Sequence, residues 1–248
     1  MIYIGLTGHA GVGKDTIADY LAERYGFIKC AFSDGLYQEV QDAFGLPDQA
    51  LLRGRTTKEM PIAELQLMYC TDPDFVAVVT PLLAALHPGT DRDINNIFMS
   101  PRQVTQWWGT EYRRKQNPDY WVEKADEFTY NIWAGAPYPE QRRQLFVNTT
   151  CRFPNEQAFI HRYTCGNVWH VHRDGIGPVN GHVSDQALPV LPYEREIWNN
   201  GSIEQLCEGV DLMLATAARF VRCEPMLPDV PPEPAAAPLD LLQHEQSR

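Results

Sequence analysis

The sequence has few basic residues, no paired-cysteine motif and no long hydrophobic run. Its 32 acidic residues outnumber 21 basic ones, giving a formal net charge of −11. This charge disfavours extended contact with DNA or RNA, although a small basic pocket can still hold a nucleotide. The six cysteines show no Cys-x-x-Cys spacing. A chain of this size does not need disulfide bonds, so we expect free thiols in a reducing cytoplasm.

The N-terminus lacks the basic region of a signal peptide. Its apolar run is interrupted by Gly5, Gly8 and Gly11, which excludes a membrane span there. We therefore expect a soluble cytoplasmic protein with no membrane partner. The chain has 248 residues, 44% of them hydrophobic, which favours one α/β domain.

The segment from residue 2 to residue 16 is the most informative part of the chain. An alternating apolar strand runs into the pattern Gly8-x4-Gly13-Lys14. The amides of such a loop and the following helix N-terminus bind phosphate, and the lysine reaches the β- and γ-phosphates. An ordinary strand-to-helix turn would explain one glycine, but not the lysine directly after the last one. The predicted ATP-binding residues are Gly8, Ala10, Gly11, Val12, Gly13, Lys14, Asp15 and Thr16.

The position of the magnesium ligand in this loop departs from the usual phosphate-loop pattern. Asp15 stands where a serine or threonine is expected after the lysine, and Thr16 offers its hydroxyl one position late. Thr16 is the predicted Mg²⁺ ligand. An acid would normally end the strand near residues 144–150, but Thr150 stands there. Glu156, Asp34 and Glu111 are alternatives for assisting the metal, and the sequence does not choose among them.

Strand and helix patterns alternate along most of the chain. The alternation predicts a largely parallel sheet covered on both faces, a three-layer α/β/α arrangement. Residues 48–100 are expected to form a peripheral insertion of short helices, and Gly109-Thr110 is expected to end the helix that begins at Ser100-Pro101. Strands are predicted at 2–6, 27–32, 145–147, 168–172 and 196–198, and helices at 14–25, 36–44, 119–133, 155–163 and 202–220.

The C-terminal end has a different composition. Six prolines lie between Pro225 and Pro238, which predicts a disordered or extended tail over residues 223–248 after a domain of residues 1–222.

Phosphoryl transfer depends on positioning and on cations rather than on covalent help from the protein. Among the loop arginines, Arg152 and Arg173 are the best candidates because each follows a predicted strand, at the edge where such sheets bind ligands. Trp121 is the tryptophan best placed to contact a base. His170 and His172 are interpreted as core or edge residues. The other arginines considered are Arg102, Arg113, Arg114 and Arg195.

Taken together, these motifs resemble the deoxynucleoside monophosphate kinases of tailed bacteriophages, over about residues 1–210. The resemblance rests on five segments in the family's order, including the Lys-Asp-Thr of the phosphate loop. The others are residues 31–37, Ser100-x-Arg102-x3-Gln106-x2-Gly109-Thr110 with Tyr120-Trp121-Val122, residues 151–156, and His170-x-His172-Arg173 with His182-x-x-Asp185 and residues 199–206.

The resemblance implies a P-loop kinase with a helical acceptor-binding insertion at 48–135 and a short lid at 173–186. It implies catalytic roles for Lys14, Arg152 and Arg173, with ATP as phosphoryl donor and Mg²⁺ as cofactor. The implied binding residues for the deoxynucleoside monophosphate are Leu36, Tyr37, Arg102, Gly109, Thr110, Trp121, Thr150, Arg152 and Glu156.

The function implied is transfer of the ATP γ-phosphoryl group to a deoxynucleoside 5′-monophosphate for phage DNA precursor synthesis, in the host cytoplasm. One alternative keeps the phosphate loop but uses another acceptor, either a small metabolite or a hydroxymethylated base in DNA. The other is a non-catalytic nucleotide-binding protein. The accepted bases and the oligomeric state, with a homodimer as one option, stay open.

Overall fold

The computed structural model describes residues 1–54, 57–138, 144–163, 165–178 and 181–220. The chain divides into two units, Met1–Asp211 and Leu212–Arg248. The predicted tail at 223–248 lies outside the described residues. No helix in the described part is long and apolar enough to cross a membrane, and its five cysteines are free thiols.

The described strands form one five-stranded sheet in the order β2-β3-β1-β4-β5. Every neighbouring pair is parallel, so the predicted parallel α/β fold is confirmed. Successive β1 residues Tyr3 and Ile4 are both buried; because they point to opposite faces, both faces are covered. The strands are β1 Ile2–Thr7, β2 Ile28–Cys30, β3 Leu145–Asn148, β4 Cys165–His172 and β5 Arg195–Trp198.

The helices predicted at 14–25, 36–44, 119–133, 155–163 and 202–220 are present, and each observed end lies within two residues of its predicted position. Helix α1 starts directly after the phosphate loop, and α7 packs on the sheet with Ile160 against Gly5 and Gly166. The helices are α1 Lys14–Tyr25, α2 Asp34–Phe44, α3 Ala50–Arg53, α4 Pro73–Leu86, α5 Pro101–Gln106, α6 Tyr120–Gly135, α7 Pro154–His161 and α8 Ile203–Phe220.

Two expectations about the helical region were wrong. The segment at 48–100 is not a peripheral set of short helices, because α4 has 14 residues and buries Phe75, Val79 and Leu83 completely in the main core. The Thr-Asp-Pro-Asp segment at 71–74 begins α4. The Asp72 side chain caps the helix by accepting hydrogen bonds from the backbone N–H groups of Asp74 and Phe75. Pro73 occupies the first helical position, where proline is favourable.

Gly109 and Thr110 do not end a helix. The chain continues from α5 into a π-helical segment, Trp107–Arg114. A Cβ on Gly109 would lie 2.7 Å from Leu36 Cδ1, so the glycine permits close packing instead of terminating the helix. Widened helical turns of this type occur frequently at functional sites.

Candidate functional site

The phosphate loop, residues 8–13, turns sharply between β1 and α1. Gly8 and Gly13 have φ angles of 132° and 107°, a region that side-chain-bearing residues rarely adopt. Space is also restricted. A Cβ on Gly8 would lie 2.3 Å from the Val171 carbonyl oxygen, and one on Gly13 would lie 2.4 Å from Asn199 Nδ2. Both glycines are therefore required for the shape of the loop.

Lys14 lies over the loop at the start of α1. Its Nζ donates to the carbonyl oxygens of Gly8 at 2.6 Å and His9 at 2.8 Å. Burial, together with the nearby positive charge of Arg152, lowers the pKa of Lys14 to about 8, and the charges of Asp15 and Asp185 oppose this shift. The ammonium is thus held in a desolvated, electropositive position where an anionic ligand would stabilise its charge.

The loop after β5 fixes the far side of the phosphate loop. Asn199 Nδ2 donates to the Val12 carbonyl oxygen at 2.8 Å, and the Asn199 amide donates to the His172 carbonyl at 2.8 Å. The sequence motif around residue 199 contained this asparagine, but its contact with residue 12 is set by the sheet order and could not be predicted from spacing. Asn199 is a positioning residue for the loop.

A cavity of about 100 Å³ opens beside the ends of β2 and β3; we call it the α5 cavity. It contains all nine residues predicted to bind the deoxynucleoside monophosphate: Leu36, Tyr37, Arg102, Gly109, Thr110, Trp121, Thr150, Arg152 and Glu156. Eight further lining residues were not predicted: Phe32, Ser33, Lys58, Thr105, Gln106, Arg114, Phe153 and Ser184.

Trp121 forms an almost buried wall of this cavity, with 3% of its surface exposed. Its Nε1 donates to the Gly109 carbonyl oxygen at 3.0 Å, and its ring lies over Gly35, where a Cβ would stand 3.5 Å away. The indole N–H is therefore already paired, and the side chain contributes shape and apolar surface. A role in stacking on a base stays a prediction.

One end of the cavity carries a lysine that the sequence did not single out. Lys58 Nζ donates to the Tyr37 hydroxyl at 3.2 Å, and the Arg53 guanidinium lies 4.2 Å from the centre of the Tyr37 ring. Arg102 pairs with Glu59 in the same turn. No local pattern marks Lys58; the turn after α3 brings it to α2 and α5.

Arg114 and Glu156 form a buried ion pair at another wall. Glu156 also accepts the backbone N–H groups of Arg152 at 2.7 Å and Phe153 at 3.1 Å. Burial raises the pKa of Glu156 to about 7, against the opposing effects of Arg114 and these N–H groups. Glu156 therefore fixes the backbone at Arg152, while Arg114 lies on the Phe153 ring at 3.8 Å.

Thr150 lies where an acid was expected, and its hydrogen bonds join it to neighbouring residues of the protein. Its Oγ1 accepts the Ser33 N–H at 3.4 Å, and its N–H donates to Asn148 Oδ1 at 3.0 Å. The other acids considered are engaged elsewhere: Asp34 pairs with Arg53, and Glu111 Oε1 lies 3.3 Å from His182 Nε2. In the described residues, no group of three or more His, Cys, Asp or Glu could hold a metal ion.

The predicted lid residues divide between two environments. Ser184 lines the α5 cavity and Asp185 is buried, so the 182–185 turn lies close to both the cavity and Lys14. Arg173 is exposed and does not line the cavity. The structure thus brings Arg152 to the cavity but not Arg173, whose catalytic role stays a prediction. Residues 179–180 of the predicted lid lie outside the described residues.

Comparison with known proteins points to a kinase. No protein-family model matches the chain. A protein of Acanthamoeba polyphaga mimivirus named "Putative deoxynucleotide monophosphate kinase" is 27% identical over 209 residues, covering 83% of this chain and 92% of that protein. A solved, unliganded sugar kinase from Janibacter sp. HTCC2649 covers 89% of this chain and 98% of its own, at 17% identity and a TM-score of 0.33. That structural overlap is too low to carry an argument. The viral relative supports a kinase in general, not the bacteriophage family in particular.

Proposed function

We propose that this protein transfers the γ-phosphoryl group of ATP to a deoxynucleoside 5′-monophosphate, giving the diphosphate used for DNA precursors. The observation that carries the proposal is a cavity lined by four cationic side chains beside a phosphate loop. Those side chains are Lys58, Arg102, Arg114 and Arg152. The name of the mimivirus relative agrees with a mononucleotide as acceptor.

The cationic side chains of the loop and the cavity are suited to bind the donor phosphates and the acceptor phosphate so that they face each other. The amides of the phosphate loop and Lys14 would bind the donor phosphates. Arg152 lies between the two regions, because it lines the cavity and its charge also acts on Lys14. It would neutralise charge as the phosphoryl group moves between donor and acceptor. The acceptor phosphate is itself the nucleophile, so no strong base is required.

Magnesium would be held mainly by the nucleotide. Mg²⁺ in phosphoryl-transfer sites binds one or two protein oxygens together with substrate phosphates and water. The absence of an acidic cluster among the described residues fits this mode, and the half-buried Thr16 would supply a hydroxyl from the first turn of α1. Bound there, the metal would neutralise phosphate charge.

A coupled assay of ADP formation tests the function directly. The protein, ATP and Mg²⁺ are incubated with each of dGMP, dTMP, dCMP and dAMP, with a matched ribonucleotide and with an oligonucleotide. Turnover of a mononucleotide supports the proposal. ADP release only with the oligonucleotide would assign another acceptor, and ATP binding without any product would show a non-catalytic protein.

Lys14→Ala tests the donor site. We expect a fall in kcat of at least about a hundredfold, because a preorganised cation at the transferring phosphates is lost. The matched control is Lys124→Ala, which removes an exposed lysine paired with Glu127 and should leave kcat unchanged. Circular dichroism and thermal unfolding verify the fold of both variants. Unchanged turnover in a folded Lys14→Ala protein would refute the assignment.

A further inference from the structure

The helical segment Trp107–Arg114 differs from the helical turns beside it in the spacing of its hydrogen bonds. It is π-helical and lies between the α-helical turns of α5 and of residues 115–116. Because a π-helix bonds residues five apart and an α-helix bonds residues four apart, the two place different side chains on one face. Gly109 lines the α5 cavity together with Arg114, five residues later, whereas Arg113 does not line it. In a regular α-helix, Arg113 would share the face of Gly109.

Arg113 lies on the other side of this segment, among aromatic rings. Its guanidinium carbon lies 4.4 Å from the centre of the Tyr112 ring, 5.2 Å from that of Tyr120 and 5.6 Å from that of Trp108. A guanidinium at such distances is attracted to the face of a ring. Its Nε donates to Glu39 Oε2 at 2.7 Å. The side chains of Arg113 and Glu39 are each 21% exposed, so salt screens this pair less than it screens a surface pair.

Glu39 joins the polar groups of this arrangement to α2. Besides that guanidinium, its carboxylate accepts the Trp108 Nε1–H at 2.8 Å and the Tyr120 hydroxyl. Leu36, three residues earlier on the same side of α2, packs where a Cβ on Gly109 would stand only 2.7 Å away. Helix α2 therefore contacts the π-helical segment at two points, through apolar packing at the glycine and through charge at the arginine.

The π-helical register determines which arginine reaches the cavity. Arg114 forms its buried ion pair with Glu156, which in turn accepts the Arg152 N–H. Closing the segment into an α-helix would turn Arg114 away from Glu156 and leave a buried carboxylate without its cation. It would also withdraw Arg113 from Glu39. Since π-helices are rare, tertiary contacts must hold this one in place, and the carboxylate on α2 supplies the charged contact.

We propose that Glu39 is a positioning residue of the acceptor site. Through Arg113 it holds residues 107–114 in the π-helical register, and that register gives the cavity Arg114 rather than Arg113. Glu39 itself does not line the cavity, so it acts on a ligand only through the wall that it holds. Its effect on turnover rests on the proposed function, since that function places a mononucleotide in the α5 cavity.

Steady-state kinetics of two Glu39 variants test this role. Glu39→Met removes the acceptor of three donors and should raise KM for the best mononucleotide substrate at least about tenfold, because a positioning error of about 1 Å can cost a factor of about 100. The Kd for ATP should stay within twofold, since the phosphate loop lies between other elements, β1 and α1. Glu39→Gln keeps an acceptor oxygen, so its KM should lie between those of the wild type and Glu39→Met. A residue that only stabilises the fold would lower the unfolding midpoint and leave KM of the folded protein unchanged, and that result would overturn the proposal.

Arg113→Met tests the other partner and should raise KM in the same way. Its matched control is Arg162→Met, because Arg162 also packs on a ring, 4.6 Å from the centre of Phe159, and also has an acidic neighbour, Asp126 at 3.6 Å. Arg162 does not line the cavity, so the control should keep the wild-type KM. Equal increases in KM for the two arginine variants would contradict a specific role of the pair with Glu39.

Crystal structures of nucleotide-free Glu39→Met and Arg113→Met separate this inference from the proposed function. A segment that has become α-helical, or an Arg114 side chain that has left Glu156, supports the inference even if no mononucleotide is turned over, in which case only the proposed function fails. An unchanged π-helix with Arg114 still in the cavity wall overturns the inference even if kinase activity is found. Thermal unfolding identifies a variant that does not fold, and Glu39→Gln then takes its place in both measurements.

Discussion

The low pKa of Lys14 leads to a pH dependence of donor binding. Burial, aided by Arg152, lowers that pKa to about 8 in the free protein. Lys14 is thus charged below pH 8 and neutral above it. Since the triphosphate binds the charged form and ATP is already fully ionised there, the apparent Kd should rise as pH increases beyond 8. The expected rise is about tenfold per pH unit, or about 30-fold between pH 7 and 9.5.

Isothermal calorimetry of ATP binding from pH 7 to 10 measures this profile. Lys14→Met should bind weakly at every pH and show a flat profile. Arg152→Ala removes a positive charge that lowers the Lys14 pKa, so its profile should turn at a higher pH. Arg162→Ala, which changes an exposed arginine near Asp126, should not move the midpoint. A wild-type Kd that stays constant up to pH 10 would refute a desolvated Lys14 at the donor site.

Two further substitutions test how the site is built. Gly13→Ala places a Cβ 2.4 Å from Asn199 Nδ2 at a positive φ and should abolish measurable ATP binding. The control Gly89→Ala also has a positive φ but adds its Cβ in open space. It should lower the free energy of unfolding by only about 1 kcal/mol, measured by urea titration. Glu156→Ala leaves three donors without their acceptor and should cost about 3 kcal/mol. Glu59→Ala, which removes an exposed carboxylate from the ion pair with Arg102, should cost under about 1 kcal/mol. Equal losses in the two glutamate variants would contradict the buried role of Glu156.

The sequence predicted those parts of the molecule that depend on local patterns. The phosphate loop follows from glycines at fixed spacing, and α1 was predicted at its observed bounds. The parallel sheet follows from alternating elements. The family resemblance also gave nine residues that line one cavity. Their binding roles stay predictions, because shared location does not identify a ligand.

The other features of the fold and the site depend on long-range packing, which the sequence patterns do not reveal. Lys58 enters the cavity through a turn that carries no motif, and Ser184 reaches it from a segment far along the chain. Gly109 has the composition of a helix end, but tertiary packing against Leu36 and Trp121 determines its role. Similarly, Asp72-Pro73 is compatible with a turn or a helix start, and the burial of α4 in the core decides between them.

The net negative charge of the protein and the cationic side chains of the α5 cavity act on an anionic ligand over different distances. At physiological salt, charges separated by more than about 8 Å are largely screened, so the net charge of −11 does not prevent a small anion from binding within the α5 cavity. A nucleic acid polymer would instead extend beyond the cavity, where the net negative charge of the protein opposes each added phosphate. The four cationic side chains of the cavity and Lys14 beside it therefore fit the single nucleotide of the proposed function better than they fit a strand. Under the proposed function, this difference in range would allow the protein to bind one nucleotide in the cavity while its net charge opposes a polymer.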